Sequence, residues 1–172
     1  MNPESTPTPA MARVPAALFV DYDNLVRQAP EVDIAGVAQG TVPFSAILAH
    51  LVQYRGYDIG IRRAYGDFNY HSRDAVQRGG VYDPRILRSR IQTDIEVQRR
   101  LLEDAFEMIL SPPHGQAVKN RADILISIDI LEVATTYPRV QRFCIASGDS
   151  DFTPAVQRIK ALGKQVTVIA YP

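Results

Sequence analysis

The sequence predicts an α/β domain built on a mainly parallel five-stranded sheet. Three observations carry that reading. Short apolar runs alternate along the chain with amphipathic stretches of helical period. Several of the apolar runs are followed closely by Asp or Gly-Asp, as strand ends at a polar sheet edge would be. Hydrophobic residues make up 46% of the 172 positions, enough to bury a sizeable core in one domain. Strands that alternate with helices assemble into a parallel sheet covered on both faces. Residues 1–15, rich in Pro, Ser, Thr and Ala, read as a flexible tail, and 16–172 as the single domain.

Ala16–Val20 (AALFV) is an apolar run ended by Asp21, and reads as a buried strand. Residues 27–42, with Pro30, Gly36 and Gly40, read as loop. Pro43 opens an amphipathic helix over Phe44–Tyr54, and Gly56 stops it. Tyr57–Tyr65 is the second strand, followed by Gly66-Asp67. Helical patterning covers 69–79 and about 93–105, broken at Gly79-Gly80. Phe106–Leu110 is the third strand, closed by Ser111-Pro112-Pro113. A long apolar-periodic helix spans Ala122–Thr136, and Val140–Ala146 is the fourth strand. A helix over Thr153–Leu162 has Pro154 in its first turn and Gly163 after its end; Gln165–Ala170 is the fifth strand.

Composition excludes some classes. The single cysteine, Cys144, permits no internal disulfide and favours a reducing, cytoplasmic setting. No apolar run approaches the roughly 20 residues that cross a bilayer. Lys plus Arg and Asp plus Glu each total 19, which argues against coating nucleic acid by net charge alone. The distribution is uneven, because residues 62–100 hold nine arginines against five acids. That local excess suits a phosphodiester beside an acidic site, although composition alone also describes a solvated helix face.

The functional signal is a set of carboxylates. Ligands bind outside the carboxyl ends of strands in open α/β sheets. Asp21 follows the first strand, Asp67 the second, and Asp149 and Asp151 the fourth, in Ser147-Gly148-Asp149-Ser150-Asp151-Phe152. Asp123 opens the helix after the third. A parallel sheet therefore brings all five to one edge. Each taken singly reads as a cap or turn former; their coincidence on one edge points to a cation site. Clustered carboxylates repel, and a divalent cation relieves the conflict. Hard oxygen donors suit Mg²⁺ or Mn²⁺. Only three histidines occur, none beside these acids, which argues against zinc. Asn24 is a neutral partner that would hold a water or a phosphate, or stabilise the turn. Asp23 points away from Asp21 if the backbone is still extended there. Asp129, about 240° round a helix from Asp123, reads as structural. Substrate contacts are expected from Lys119, Asn120, Ser147, Arg63 and Asp67. Tyr65, Phe68 and Tyr70 read as core sooner than as base-stacking residues.

The segments LFVDYDN (18–24), RRAYGDFN (62–69), KNRADILISIDILEVA (119–134) and FCIASGDSDFTPAVQRIKALGKQVTVIA (143–170) together resemble the NYN domains, in particular the LabA-like group, within the PIN-like nuclease superfamily. The resemblance implies a three-layer α/β/α, PIN-like (Rossmann-like) fold and Mg²⁺- or Mn²⁺-dependent cleavage of RNA, expected to be endonucleolytic. By motif match it puts Asp21, Asp123, Asp149 and Asp151 in the acidic metal site and Asn24 beside them. RNA is the implied partner; a homodimer and an additional RNA-binding domain or partner protein are compatible with the family, and no membrane is involved. Two alternatives fit parts of the pattern. A haloacid-dehalogenase-like phosphatase would use Asp21-Tyr22-Asp23, Ser111, Lys119 and Gly148-Asp149, but Leu25 and the Asp-Ser-Asp-Phe-Thr-Pro run suit it poorly. A non-catalytic RNA-binding or regulatory module would keep the acids without using them.

Overall fold

The chain is described from a computed structural model covering residues 13–29, 31–34, 37–40, 42–78, 83–110 and 121–171, with backbone alone at 31–34, 37–40, 77, 78 and 121. The expected Ser111, Lys119 and Asn120, the Gly79-Gly80 break and most of the N-terminal tail lie outside these residues.

Five strands form one parallel sheet. They are β1 (Val14–Asp21), β4 (Tyr57–Gly66), β5 (Glu107–Leu110), β6 (Arg142–Ala146) and β7 (Gln165–Ile169), in the spatial order β5-β4-β1-β6-β7. The central strand, β1, pairs Val20 with Ala64 of β4 on one side and with Ala146 of β6 on the other. The chain first builds outward from β1 through β4 to β5, then returns to place β6 on the opposite flank. The reversal leaves a crevice beyond the ends of β1 and β6, where such sheets bind ligands.

Side chains alternate across β1 and feed two cores. Leu18 and Val20 face Leu25 of α1 (Tyr22–Gln28), Leu51 of α2 (Phe44–Gln53) and Leu101 of α4 (Pro84–Glu103). Ala17 and Phe19 face Ile126 and Ile130 of α5 (Arg121–Thr136) and Ile159 of α6 (Thr153–Ala161). Each large apolar side chain buried this way contributes about 1.5–3 kcal/mol relative to exposure. The result is the α/β/α layering expected from the alternating pattern. Cys144 is free and buried in the first core. Among the described residues no helix is long and apolar enough to cross a membrane.

Two stretches differ from the sequence expectation. Residues 27–42 are not all loop: α1 reaches Gln28, and β2 (Glu31–Ile34) pairs antiparallel with β3 (Val37–Gly40). Each of those strands has four residues, too few to show a period. The helix expected from about 93 begins at Pro84 instead, because Asp83 caps it by accepting the Arg85 N–H at 2.8 Å and Pro84 sits in its first turn. α3 (Tyr70–Arg78) precedes it, much as the patterning implied.

The end of β4 is held close to the start of α1. Gly66 has φ +149°, and a Cβ there would lie 2.8 Å from Asp23 Oδ1 and 3.1 Å from the Asp23 backbone nitrogen. That nitrogen belongs to a helix and cannot yield cheaply. Gly66→Ala is expected to destabilise the fold by about 1–3 kcal/mol, read as a lower urea midpoint at unchanged m. An unshifted midpoint would show that the close approach is not needed.

Candidate active site

Asp21 ends the central strand and caps α1. Both of its carboxylate oxygens are occupied. Oδ1 accepts the Asn24 backbone N–H at 3.1 Å, and Oδ2 accepts the Ser147 hydroxyl at 2.9 Å. Ser147 stands just past the end of β6, and its Oγ accepts the Asp149 N–H at 3.1 Å. Asn24 reaches the same turn, its Oδ1 accepting the Gly148 N–H at 2.8 Å. Asp149 then caps a single 3₁₀ turn (Ser150–Phe152) by accepting the Asp151 N–H at 2.9 Å. The corners after β1 and β6, more than 120 residues apart in sequence, are thus stitched together across the crevice.

The electrostatics follow from burial. Asp21 is 3% exposed. Its carboxyl is pushed up to about 6, chiefly by desolvation; the Asn24 and Ser147 hydrogen bonds pull it down, and Asp123 and Asp23 push it up. Asp123, in the first turn of α5, is also raised, by desolvation first and then by Asp149 and Asp151, with Arg27 opposing. Asp123 thus lies within electrostatic reach of Asp21, Asp149 and Asp151. Arg27, in the last turn of α1, is the cation beside it, anchored by donating to the Asp23 carbonyl at 2.5 Å. It escaped notice because residues 27–42 read as loop; a helix begun at Asp21 would have put it one turn beyond Asp23.

The geometry bears on whether this donor set suits a cation. Among the described residues no three His, Cys, Asp or Glu side chains stand close enough to ligate one ion directly. Asp21 is tied to Asn24 and Ser147, and Asp149 to the 3₁₀ turn, which explains the spread. The donors are all hard oxygens in a field of mutually repelling carboxylates, which fits Mg²⁺ or Mn²⁺ that keeps most of its water. It does not fit a closed shell of three carboxylates.

Other expected residues go elsewhere. Ser147 is 2% exposed and spends its hydroxyl between Asp21 and Asp149, so it holds the site together and is not free to touch substrate. Arg63 binds Glu107 Oε2 at 2.8 Å and lies 3.2 Å from Asp129, because β4 carries it between β5 and α5. Asp67 turns towards α3, where it pairs with Arg73 and accepts the Asn69 N–H at 3.1 Å; burial raises its carboxyl. Asp23, 5% exposed, accepts the Asp67 N–H at 2.9 Å. Asp129 accepts the Tyr65 hydroxyl at 2.6 Å and so braces α5 on β4. Tyr65 and Phe68 are core.

An open parallel sheet layered with helices, with acids beyond its central strand, is consistent with a PIN-like α/β/α fold. The NYN domain family model matches residues 15–172, and the chain belongs to that family. NYN domains are typically nucleases, and PIN-like nucleases generally use divalent metals. The chain is also similar to the crystal structure of a protein of unknown function from Vibrio parahaemolyticus, at 20% identity and a TM-score of 0.56, covering 96% of this chain and 86% of that one. That likeness shows the fold. No curated protein matches.

Burial of Asp21 has a measurable consequence. Its ordinary value of 3.8 rises to about 6 on folding, so between those values the folded chain binds more protons than the unfolded one. Stability present at low pH is lost as pH rises through 6, by roughly 3 kcal/mol. Asp21→Asn removes that cost but leaves the Ser147 hydroxyl a poorer partner, worth about 1 kcal/mol. In chelator, the variant is expected to exceed the wild type by roughly 1–2 kcal/mol near pH 7.5, with the advantage gone near pH 4. A difference independent of pH in denaturant melts would contradict this account.

Proposed function

We propose that this chain is a metal-dependent ribonuclease that hydrolyses RNA phosphodiester bonds, as an endonuclease, in the crevice beyond β1 and β6. The observation that carries the reading is the joint between the Asp21 corner and the Asp149 turn, made by Ser147 and Asn24, with Asp123 opening α5 within electrostatic reach of both. Family membership supports it. Those four carboxylates would hold Mg²⁺ or Mn²⁺, in large part through water. When bound, the cation supplies a water of lowered pKa and neutralises charge on the phosphoryl oxygens.

The chain's own residues set the stage for that chemistry. Ser147 and Asn24 fix the orientation of Asp21, so its oxygens need no reorganisation during reaction. Asn24 gives its side-chain oxygen to Gly148, and no described residue takes its amide N–H groups, which leaves them for a phosphate oxygen or a bound water. Arg27 offsets part of the negative field that would repel RNA. A phosphatase using Asp23 as acid and base beside Asp21 is disfavoured, because the Asp23 carboxylate is buried against the Asp67 N–H.

Asp123→Asn and Asp149→Asn test the reading. Both preserve volume, and Asn caps as well as Asp. Each is expected to cut Mn²⁺-dependent cleavage of single-stranded RNA on the order of 10²–10³-fold and to weaken the thermal stabilisation that Mn²⁺ gives the wild type. Cleavage unchanged in both variants rejects these residues. A wild type that binds RNA but neither cleaves it nor responds to Mn²⁺ is a non-catalytic module.

A further inference from the structure

We propose that the groove along α4 is a second, non-catalytic subsite that holds the sugar-phosphate backbone of single-stranded RNA beside the acidic crevice. The inference rests on the ribonuclease reading for its ligand and on the structure for its place. The groove measures about 780 Å³. One wall is a single face of α4, with Arg85, Arg88, Gln92 and Arg100 on it. These positions run over four turns, about 22 Å of helix from Arg85 to Arg100. The other wall is the segment Val42-Pro43-Phe44 at the start of α2. Against three arginines the lining carries one acid, Glu96, in a chain whose Lys plus Arg and Asp plus Glu both total 19.

The structure sorts the arginines that the sequence grouped together. Arg62 donates to the Ile59 and Asp104 carbonyls, Arg63 to Glu107, and Arg73 pairs with Asp67. Arg99 is held by Glu96 and Glu103, and Arg90 has a partner of its own. Arg100 shares Glu96 at 2.8 Å. Arg88 makes no ion pair with a described residue, and Arg85 meets Asp83 only at 3.5 Å with its side chain 93% exposed. Arg85, loosely paired and almost fully exposed, and Arg88 thus fall one helical turn apart in the same groove.

Buried ring packing ties the groove wall to the corner at Asp21. Phe44, in its wall, stacks on Tyr22 with ring centroids 5.9 Å apart, and Tyr22 follows Asp21. α4 ends four residues before β5 begins, so its first turns reach back to the edge where the strands end. A strand lying in the groove would run along α4 towards that edge. A slot of this volume takes one strand; a duplex, with phosphates on the outside of a wide cylinder, would touch only the rims. Guanidinium contacts to phosphate position a strand without reading its sequence.

The test measures binding by fluorescence anisotropy, with a single-stranded RNA of about twelve nucleotides, in chelator so that nothing is cleaved. Salt is varied for the wild type, Arg85→Gln/Arg88→Gln, and the control Arg158→Gln/Lys160→Gln, which removes two charges from α6 on the opposite face. Each phosphate contact on a single strand contributes about 0.7 to the slope of log K against log salt. The α4 variant is expected to lose about 1.4 from the slope and about 25-fold in affinity near 0.1 M salt, with the control close to wild type. An unchanged slope in the α4 variant, an equal loss in the control, or equal α4-dependent binding of a duplex of the same sequence overturns the subsite. Mn²⁺-dependent cleavage is assayed separately. A wild type that binds through α4 but never cleaves would sink the ribonuclease reading and leave the groove standing.

Discussion

The hydrogen bonds from Ser147 to Asp21 and from the Gly148 N–H to Asn24 are the constraint on which the rest of the site depends. They join the end of the central strand to the turn after β6, and that turn carries Asp149 and Asp151. Without the joint, the two corners would be independent loops on either side of a crevice. With it, a carboxylate that would rather be neutral is kept at a defined position among other carboxylates. Hydrogen bonds to a charged group are worth about 1.5–3 kcal/mol each, yet burial outweighs them, since the carboxyl stays raised to about 6. The site stores a local instability of the kind that active sites carry and the surrounding fold tolerates.

A second polar network supports the first from behind. Asp23 takes the Asp67 N–H, Asp67 pairs with Arg73, and Asp94 of α4 takes the His71 and Ser72 N–H groups at the start of α3 while lying 2.8 Å from the His71 ring. His71 and Asp94 are each 2% exposed. Tyr22 stands between the two networks, its ring stacked on Phe44 and Phe68. Acids that look alike in sequence thus divide into two classes. Asp23, Asp67 and Asp94 satisfy backbone donors and brace helices. Asp21 and Asp149 also take backbone N–H groups, but at the two corners that Ser147 joins, and Asp123 feels the charge of Asp149 and Asp151.

Much of this was legible beforehand, for identifiable reasons. Apolar runs such as Ala16–Val20 and Phe143–Ala146 are buried on both faces, so they read as strands without ambiguity. Alternation of strand and helix forced a parallel sheet, and a parallel sheet forced the strand-end acids to a common edge. The Asp83-Pro84 start of α4 was missed, although both residues are ordinary helix-opening signals. The hairpin β2–β3 was not legible, since four-residue strands carry no period and depend on their partner.

What each acid does could not come from local pattern. Asp at a strand end is chemically the same residue whether it caps, pairs or faces a cation. The chain's order of apolar and polar residues was sufficient for the layered sheet, the central place of β1 and the edge on which carboxylates gather, because those follow from period and burial. Only the folded arrangement turned Ser147 inward to hold Asp21, sent Asp67 and Arg63 into ion pairs, and left Arg88 without an ion pair among the described residues. Hydrogen bonds and ion pairs are decided by distances of a few ångströms between segments far apart in the chain, and no spacing along one segment encodes them.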